Sequence, residues 1–447
     1  MTKTSRLLAI FLVLAAASIL PAQPPAAGDP KPSEGSLLAQ KAEKLRQAGS
    51  LDEAMTTYNE AIKLDPKFGL AFFGRSLIYD ARHDYKKEIE DLSNAIRLMP
   101  EVLTFYYNRA LAYQKTRENQ KSNLDLETIL KQRPRDAEVL VMRGINYMSM
   151  DDFEKARADF DTSIAIAPKE PEAYFRRAQA LASLSLINEA IVDVSKAIEL
   201  APDISAGYSL RGRLRARLDM DEAAIADFSV VLSKEPQNVE ALSSRAVAYA
   251  DLEHFGESIT DLDRALSLEP NFDGAYVNYS YVAFRLERWD KVIDFSRKAI
   301  VKNPKESMAY NNLGYGLLMS NRLSEAKGQI KRALELDPKN HLAQSNHALI
   351  AIKERRYADA TREIDLILKE HPDFDFGFFN RGTLMMAQKD YKGALEALST
   401  AIKLNPKLRR AYALRAEVYK QLGSGDLAAA DQKRSDAMLA AIQAIKF

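Results

Sequence analysis

Large and small apolar side chains recur along this chain at helical spacing, and the whole pattern returns every 34 residues. Units are numbered here from the first residue of each period, so they begin at residues 35, 69, 103 and onward to 409. Position 8 is then small in all twelve units, from Ala42, Ser76, Ala110 and Gly144 to Gly382 and Ala416. One helical turn earlier, position 4 is large (Leu38, Phe72, Tyr106, Tyr208, Tyr310, Tyr412), with Gln344 as the exception. Position 20 is mostly alanine, and position 28 is Ile or Leu in the first eleven units. Such spacing predicts two antiparallel helices per unit, the small residue admitting a neighbour and the large one filling the gap beside it. A short polar turn at positions 15 and 16, such as Gly49-Ser50 or Asp151-Asp152, separates them.

Prolines punctuate the same period. Pro66, Pro100, Pro134 and so on to Pro406 stand 34 residues apart without a slip. Proline lacks an amide hydrogen and clashes with the preceding turn, so each marks the end of a second helix. Tyrosine often stands at position 11 (Tyr79, Tyr113, Tyr147, Tyr249, Tyr419). Taken together, these residues resemble the tetratricopeptide-repeat (TPR) family over about residues 36–446. The resemblance implies an all-α fold, a TPR superhelical (α-solenoid) array of about twelve helix-turn-helix repeats. Units three and ten depart from the pattern at Ser122, Ile129 and Gln344, and the twelfth lacks its proline and ends in a helix expected to cap the stack.

The resemblance also implies that first helices line a concave groove through roughly positions 2, 5, 6, 9, 12 and 13. Asn278, Asn312, Asn346 and Asn380 occupy position 6 in four consecutive units. An amide both donates and accepts hydrogen bonds, so such a row suits the successive peptide groups of an extended chain. Beside it lie Tyr281, Phe284, Met308, Tyr315, Leu318, Leu349, Phe376 and Phe379, an apolar and aromatic set suited to a peptide or partner helix. These twelve residues are the expected partner-binding surface. Arginine recurs at position 7 (Arg75, Arg109, Arg143, Arg177, Arg211, Arg245, Arg381, Arg415) and aspartate at position 23 (Asp91, Asp193, Asp227, Asp261). Pairing between helices accounts for that stripe better than an anion site does. The Lys/Asn carboxylate clamp of cytosolic chaperone-tail binders is absent, since Val277 and Tyr281 precede Asn312 at the critical positions.

Composition narrows the function further. The chain has 63 basic and 62 acidic residues, which offers no electrostatic footprint for nucleic acid. It has no cysteine, which removes disulfides, thiol nucleophiles and cysteine-ligated metals. Its five histidines have no metal-ligand spacing, and neither a phosphate loop nor a desolvated carboxylate pair is evident. The chain is therefore expected not to be an enzyme and to need no cofactor and no metal.

At the N-terminus, Lys3 and Arg6 precede an apolar stretch, Leu7 to Leu20, shorter than the roughly 20 residues of a spanning helix. Residues 1–22 read as a signal peptide and 23–35 as a flexible Pro/Ala/Gly linker leading into the solenoid at 36–446. The expected product is a periplasmic or secreted scaffold or adaptor of the cell envelope, binding proteins or peptides in its groove. The alternative is a membrane-tethered assembly factor for a pilus, secretion or wall-synthesis complex.

Overall fold

A computed structural model describes residues 32–446. The expected signal peptide and residues 23–31 of the expected linker lie outside the described residues, and the last two linker residues, Glu34 and Gly35, are already helical. Helix begins at Glu34, capped by the Ser33 hydroxyl, which accepts from the Ser36 N–H. Among the described residues there are 24 helices and no strand, and no helix is long and apolar enough to cross a membrane. The chain divides into two compact units at Gly207/Tyr208, inside the helix Ser205–Ala216. Each unit is a run of stacked helix pairs.

The local chemistry of one repeat explains all of them. In repeat 8, Asp273–Arg285 is followed by Trp289–Lys302. Between the two helices Glu287 takes a left-handed backbone conformation, as does position 15 of every other repeat. Its N–H and that of the next residue turn back onto carbonyls of the preceding helix, from Glu287 to Phe284 and from Arg288 to Ala283, which closes the helix end. Only Gly49 and Gly423 meet this requirement without a Cβ; the other ten turns hold side chains in a conformation that costs them about 1 kcal/mol each. The second helix stops where Asn303, just before Pro304, is held extended.

Packing follows from position 8. Ala42, Ala110, Ala178, Ala246, Ala348 and Ala416 are fully buried. At Gly144 an added Cβ would fall 2.5 Å from the ring of Phe160, and at Gly212 2.8 Å from Phe228. The large partner of the small residue is thus position 24 of the same repeat, a pairing the sequence reading missed. The departures from the pattern are compensated. Ser122 is buried, donates to the Ala110 carbonyl and accepts from Asn146. Gln344 donates to the Pro338 carbonyl at 2.9 Å, the bond that the Tyr174 and Tyr276 hydroxyls make to the proline six residues back, at the end of the preceding repeat.

The arginine stripe is structural. Arg177 grips Asp193 of its own second helix through Nε and Nη2, and reaches Asp161 of the preceding second helix through Nη1 at 2.6 Å. Arg109 joins Asp125 and Ser93 in the same way, and Arg245 joins Asp261 and Ser229. Each such arginine therefore staples consecutive repeats. In repeats 8, 9 and 10, position 7 is instead Tyr279, Leu313 and His347. The stripe breaks there, and three of the four residues of the asparagine row stand in the same repeats.

One repeat carries a carboxylate where most others carry alanine. Glu88 sits at position 20, 3% exposed, and its Oε2 has no hydrogen-bond partner among the described residues. Burial, aided by the charge of Asp80, pushes its pKa up to about 8. The folded protein thus holds this proton more tightly than the unfolded chain does. Its contribution to stability is complete below the ordinary 4.5 and is lost as pH rises through about 8. Glu88→Ala is expected to stabilise the N-terminal unit by about 1–3 kcal/mol above pH ~8 and by little below pH ~4.5. Urea unfolding of both proteins across that range measures it; a variant no more stable at high pH would refute the assignment.

Candidate functional site

In the C-terminal unit the first helices of repeats 7 to 11 enclose a cavity of about 350 Å³. Eight of the twelve expected binding residues line it: Asn278, Asn312, Asn346, Tyr281, Phe284, Met308, Tyr315 and Phe376. Val247, Val277, Leu342 and Phe374 extend the apolar wall, and Asp251 stands at one side. The remaining four residues are not on this lining. Leu318 (2% exposed) and Leu349 (4%) pack in the core with Ile330 and Ile364. Phe379 and Asn380 are buried at 4% and 3%. Groove position alone did not distinguish them, because winding buries position 12 of repeat 9, position 9 of repeat 10 and positions 5 and 6 of repeat 11.

The asparagine row is also less free than its spacing implies. Asn278 Nδ2 donates to the Ser243 carbonyl and hydroxyl, at 3.1 and 2.8 Å. Asn312 donates to Ser280 Oγ, Asn346 to Asn311 Oδ1, and Asn380 to the Ser345 carbonyl and hydroxyl. Each amide thereby ties its repeat to the previous one, the work arginine does elsewhere. Among the described residues no donor reaches the side-chain oxygens of Asn278 and Asn346. Asn312 Oδ1 already accepts from Asn311 Nδ2, so the row presents two open acceptors, on repeats 8 and 10, which suit ligand N–H groups better than carbonyls.

The groove of this unit is bridged by its own last repeat. The Arg409 guanidinium makes a two-pronged bond to Glu287, at 2.8 and 2.6 Å, across 122 residues. Both side chains are less than one-fifth exposed. Arg410 donates to the Tyr315 hydroxyl and lies 5.1 Å over the Phe379 ring. Lys407 donates to the Asp251 carbonyl, and Arg288 donates to the carbonyl of Gln443 in the final helix, Gly425–Gln443. Ile442 and Ile445 pack against the core of repeats 7 and 8 around Leu262 and Leu286. The final helix therefore does more than cover repeat 12, as the sequence suggested; it returns to the middle of its own unit. One signal was present in the sequence: Arg410 holds position 2, where Met308, Leu342 and Phe376 stand in earlier repeats.

This bridge walls a second chamber, of about 670 Å³. Asp251, Tyr281, Phe284, Tyr315 and Phe376 line both spaces, so the two are contiguous. The aromatic partition is close-packed, with Phe284 5.2 Å from Tyr315 and 5.9 Å from Phe376, centroid to centroid. Burial raises the pKa of Tyr281 and of Asp251, whose carboxylate accepts from the Tyr281 hydroxyl and from Arg285. Burial also raises that of Asp375. Asp221 is pushed up to about 6, by burial first and then by the charges of Asp251 and Asp219. Among the described residues no group of three or more His, Asp or Glu is placed to hold a metal ion.

Stacked helix pairs with a side-chain-lined inner face define an α-solenoid of the kind that binds proteins. Models described as tetratricopeptide repeats match residues 36–68, 141–203 and 239–272, and one described as TPR repeat matches 382–423. The chain belongs to the tetratricopeptide-repeat family, whose members are typically non-catalytic scaffolds that bind protein partners. Among solved structures, it is similar to the Cut9–Hcn1 hetero-tetramer of the APC/C, at 14% identity over 92% of this chain and 96% of that one, with a TM-score of 0.50. It is also similar to yeast Tom70 (18% identity, 92% and 99% covered, TM-score 0.42). A tetratricopeptide repeat protein from Parabacteroides merdae is 19% identical, with 54% and 95% covered and a TM-score of 0.44. The likeness to the Cut9 complex is one of fold.

Proposed function

We propose that the chain is a non-catalytic adaptor that holds an extended segment of a partner protein in the groove of its C-terminal unit. The observation that carries this reading is the apolar cavity beside the asparagine row, with acceptor oxygens that a bound backbone N–H could satisfy. Two acceptors spaced along an apolar trough suit an extended chain better than a compact solute.

The test is selection of random linear peptides on the full chain, followed by binding measurements on Met308→Trp and Val277→Trp, which fill the cavity. A third variant, Val301→Trp, alters a second-helix position that is 77% exposed. Selected peptides are expected to weaken by about tenfold or more on the two cavity variants, a difference of about 1.4 kcal/mol, and to be unchanged on the third. Equal binding to all four proteins would defeat the reading.

The pattern of residues 1–22 supports a site of action in the cell envelope, after export. The N-terminal sequence of the protein recovered from an exporting bacterium is expected to begin near Gln23. A start at Met1 would favour the tethered assembly factor instead.

A further inference from the structure

The second chamber has an unbalanced wall. Seven carboxylates line it (Asp219, Asp221, Asp251, Glu253, Glu287, Asp373 and Asp375) against four cations, Arg285, Lys407, Arg409 and Arg410. Every cation is engaged. Arg285 pairs with Asp251, Lys407 with Glu253, and Arg409 with Glu287, while Arg410 is spent on Tyr315. Asp375 is held by Asn405 at 2.6 Å. Asp219, Asp221 and Asp373 have neither an ion pair nor a side-chain hydrogen bond among the described residues.

Asp221 is the telling member of the three. It is 7% exposed, it lines the chamber, and it has no partner. A carboxylate removed from bulk water without a counter-charge is costly, and its neighbours Asp219 and Asp251 add repulsion. Its raised pKa is the expected consequence. A cation entering the chamber would relieve Asp221, with the exposed carboxylates of Asp219 and Asp373 on the same lining adding attraction. The chamber and the apolar cavity share Asp251 and the aromatic partition as lining, so a cation and an apolar group on one ligand could occupy both.

Resting on the reading of the groove given above, we propose that its occupant is a peptide segment carrying a basic residue next to an apolar one. The apolar side chain fills the cavity between Met308 and Phe376, and the lysine or arginine reaches the carboxylates of Asp219, Asp221 and Asp373. The methylene stem of a basic side chain can lie along Tyr281 and Phe284 while its head reaches charge. Complementarity of this kind sets specificity and association rate more than raw affinity.

The probes are three short fluorescent peptides that share one Phe-Leu pair in a Gly/Ser background. The pair is flanked by lysines in the first, serines in the second and glutamates in the third. Fluorescence anisotropy with the full chain is expected to rank lysine over serine over glutamate, with the extremes separated by about tenfold or more. The triple variant Asp219→Asn, Asp221→Asn, Asp373→Asn preserves shape and is expected to bring the three peptides to within about threefold, while Asp365→Asn, on a second helix outside the chamber, leaves the ranking intact. Equal binding of the three peptides, preference for glutamate, or a lysine preference that survives the triple variant would overturn the proposal. Absence of binding by all three would do so too. Library selection tests the apolar cavity by itself, so the groove reading can stand when the charge proposal fails.

Discussion

Asp227→Ala is expected to destabilise the C-terminal unit by about 3–5 kcal/mol, because it takes a buried carboxylate from two half-buried arginines at once. Asp227 is 3% exposed at its side chain and accepts from Arg211 Nη2 at 2.7 Å and from Arg215 Nη1 at 2.7 Å. Arg215 already has a buried Nε without a partner. Removing the carboxylate leaves positive charge in a place that solvent reaches poorly, and the neighbouring helices cannot supply another anion without moving. Asp227→Asn keeps the acceptor and loses the charge, so its effect should be roughly half as large. Asp365, which pairs with Arg381 in repeat 10 but is 59% exposed, is the control. Its alanine variant is expected to cost less than about 1 kcal/mol. Urea unfolding followed by helical circular dichroism measures all three, and equal losses at Asp227 and Asp365 would contradict the burial argument.

Arg409→Ala is expected to release the final helix from the middle of its unit, at a cost of about 2–4 kcal/mol. The residue loses a two-pronged bond to Glu287 and a bond to Ser435 Oγ at 3.0 Å. Planar fork geometry matters here, so Arg409→Lys should recover only part of the loss. Hydrogen exchange is the direct readout. Amides of Gly425–Gln443 are expected to exchange faster in Arg409→Ala, while those of Ser307–Met319 stay protected. Glu287→Ala should have a similar effect, and the double variant should be little worse than either single one. Additive losses would mean that the two side chains act separately.

Most of the fold was legible because one short-range rule repeats. Small residues at position 8, aromatic ones at position 4 and a proline at position 32 each act within a helix or between adjacent helices, where spacing along the chain fixes contact. The pairing of the arginine stripe with aspartates was legible for the same reason. What escaped were contacts set by accumulated winding. The bond from Arg409 to Glu287 spans 122 residues, and no local periodicity encodes it. Burial of Leu318, Leu349, Phe379 and Asn380 has the same origin, since a groove position is open only where the next repeats leave it so. The asparagine row was visible as a row in the sequence, but the amide donors of Asn278 and Asn380 already serve the Ser243 and Ser345 backbone and side chains. Those acceptors lie in the preceding repeat, one full period away.

Photo-crosslinking tests the central claim most directly. A photoactivatable phenylalanine analogue is placed at position 308, inside the cavity, or at position 301, which faces away on a second helix. After illumination with a peptide selected on the full chain, mass spectrometry is expected to find the covalent adduct with the position 308 protein and not with the position 301 protein. An adduct from position 301 alone, or from both in equal yield, would show that the partner binds elsewhere.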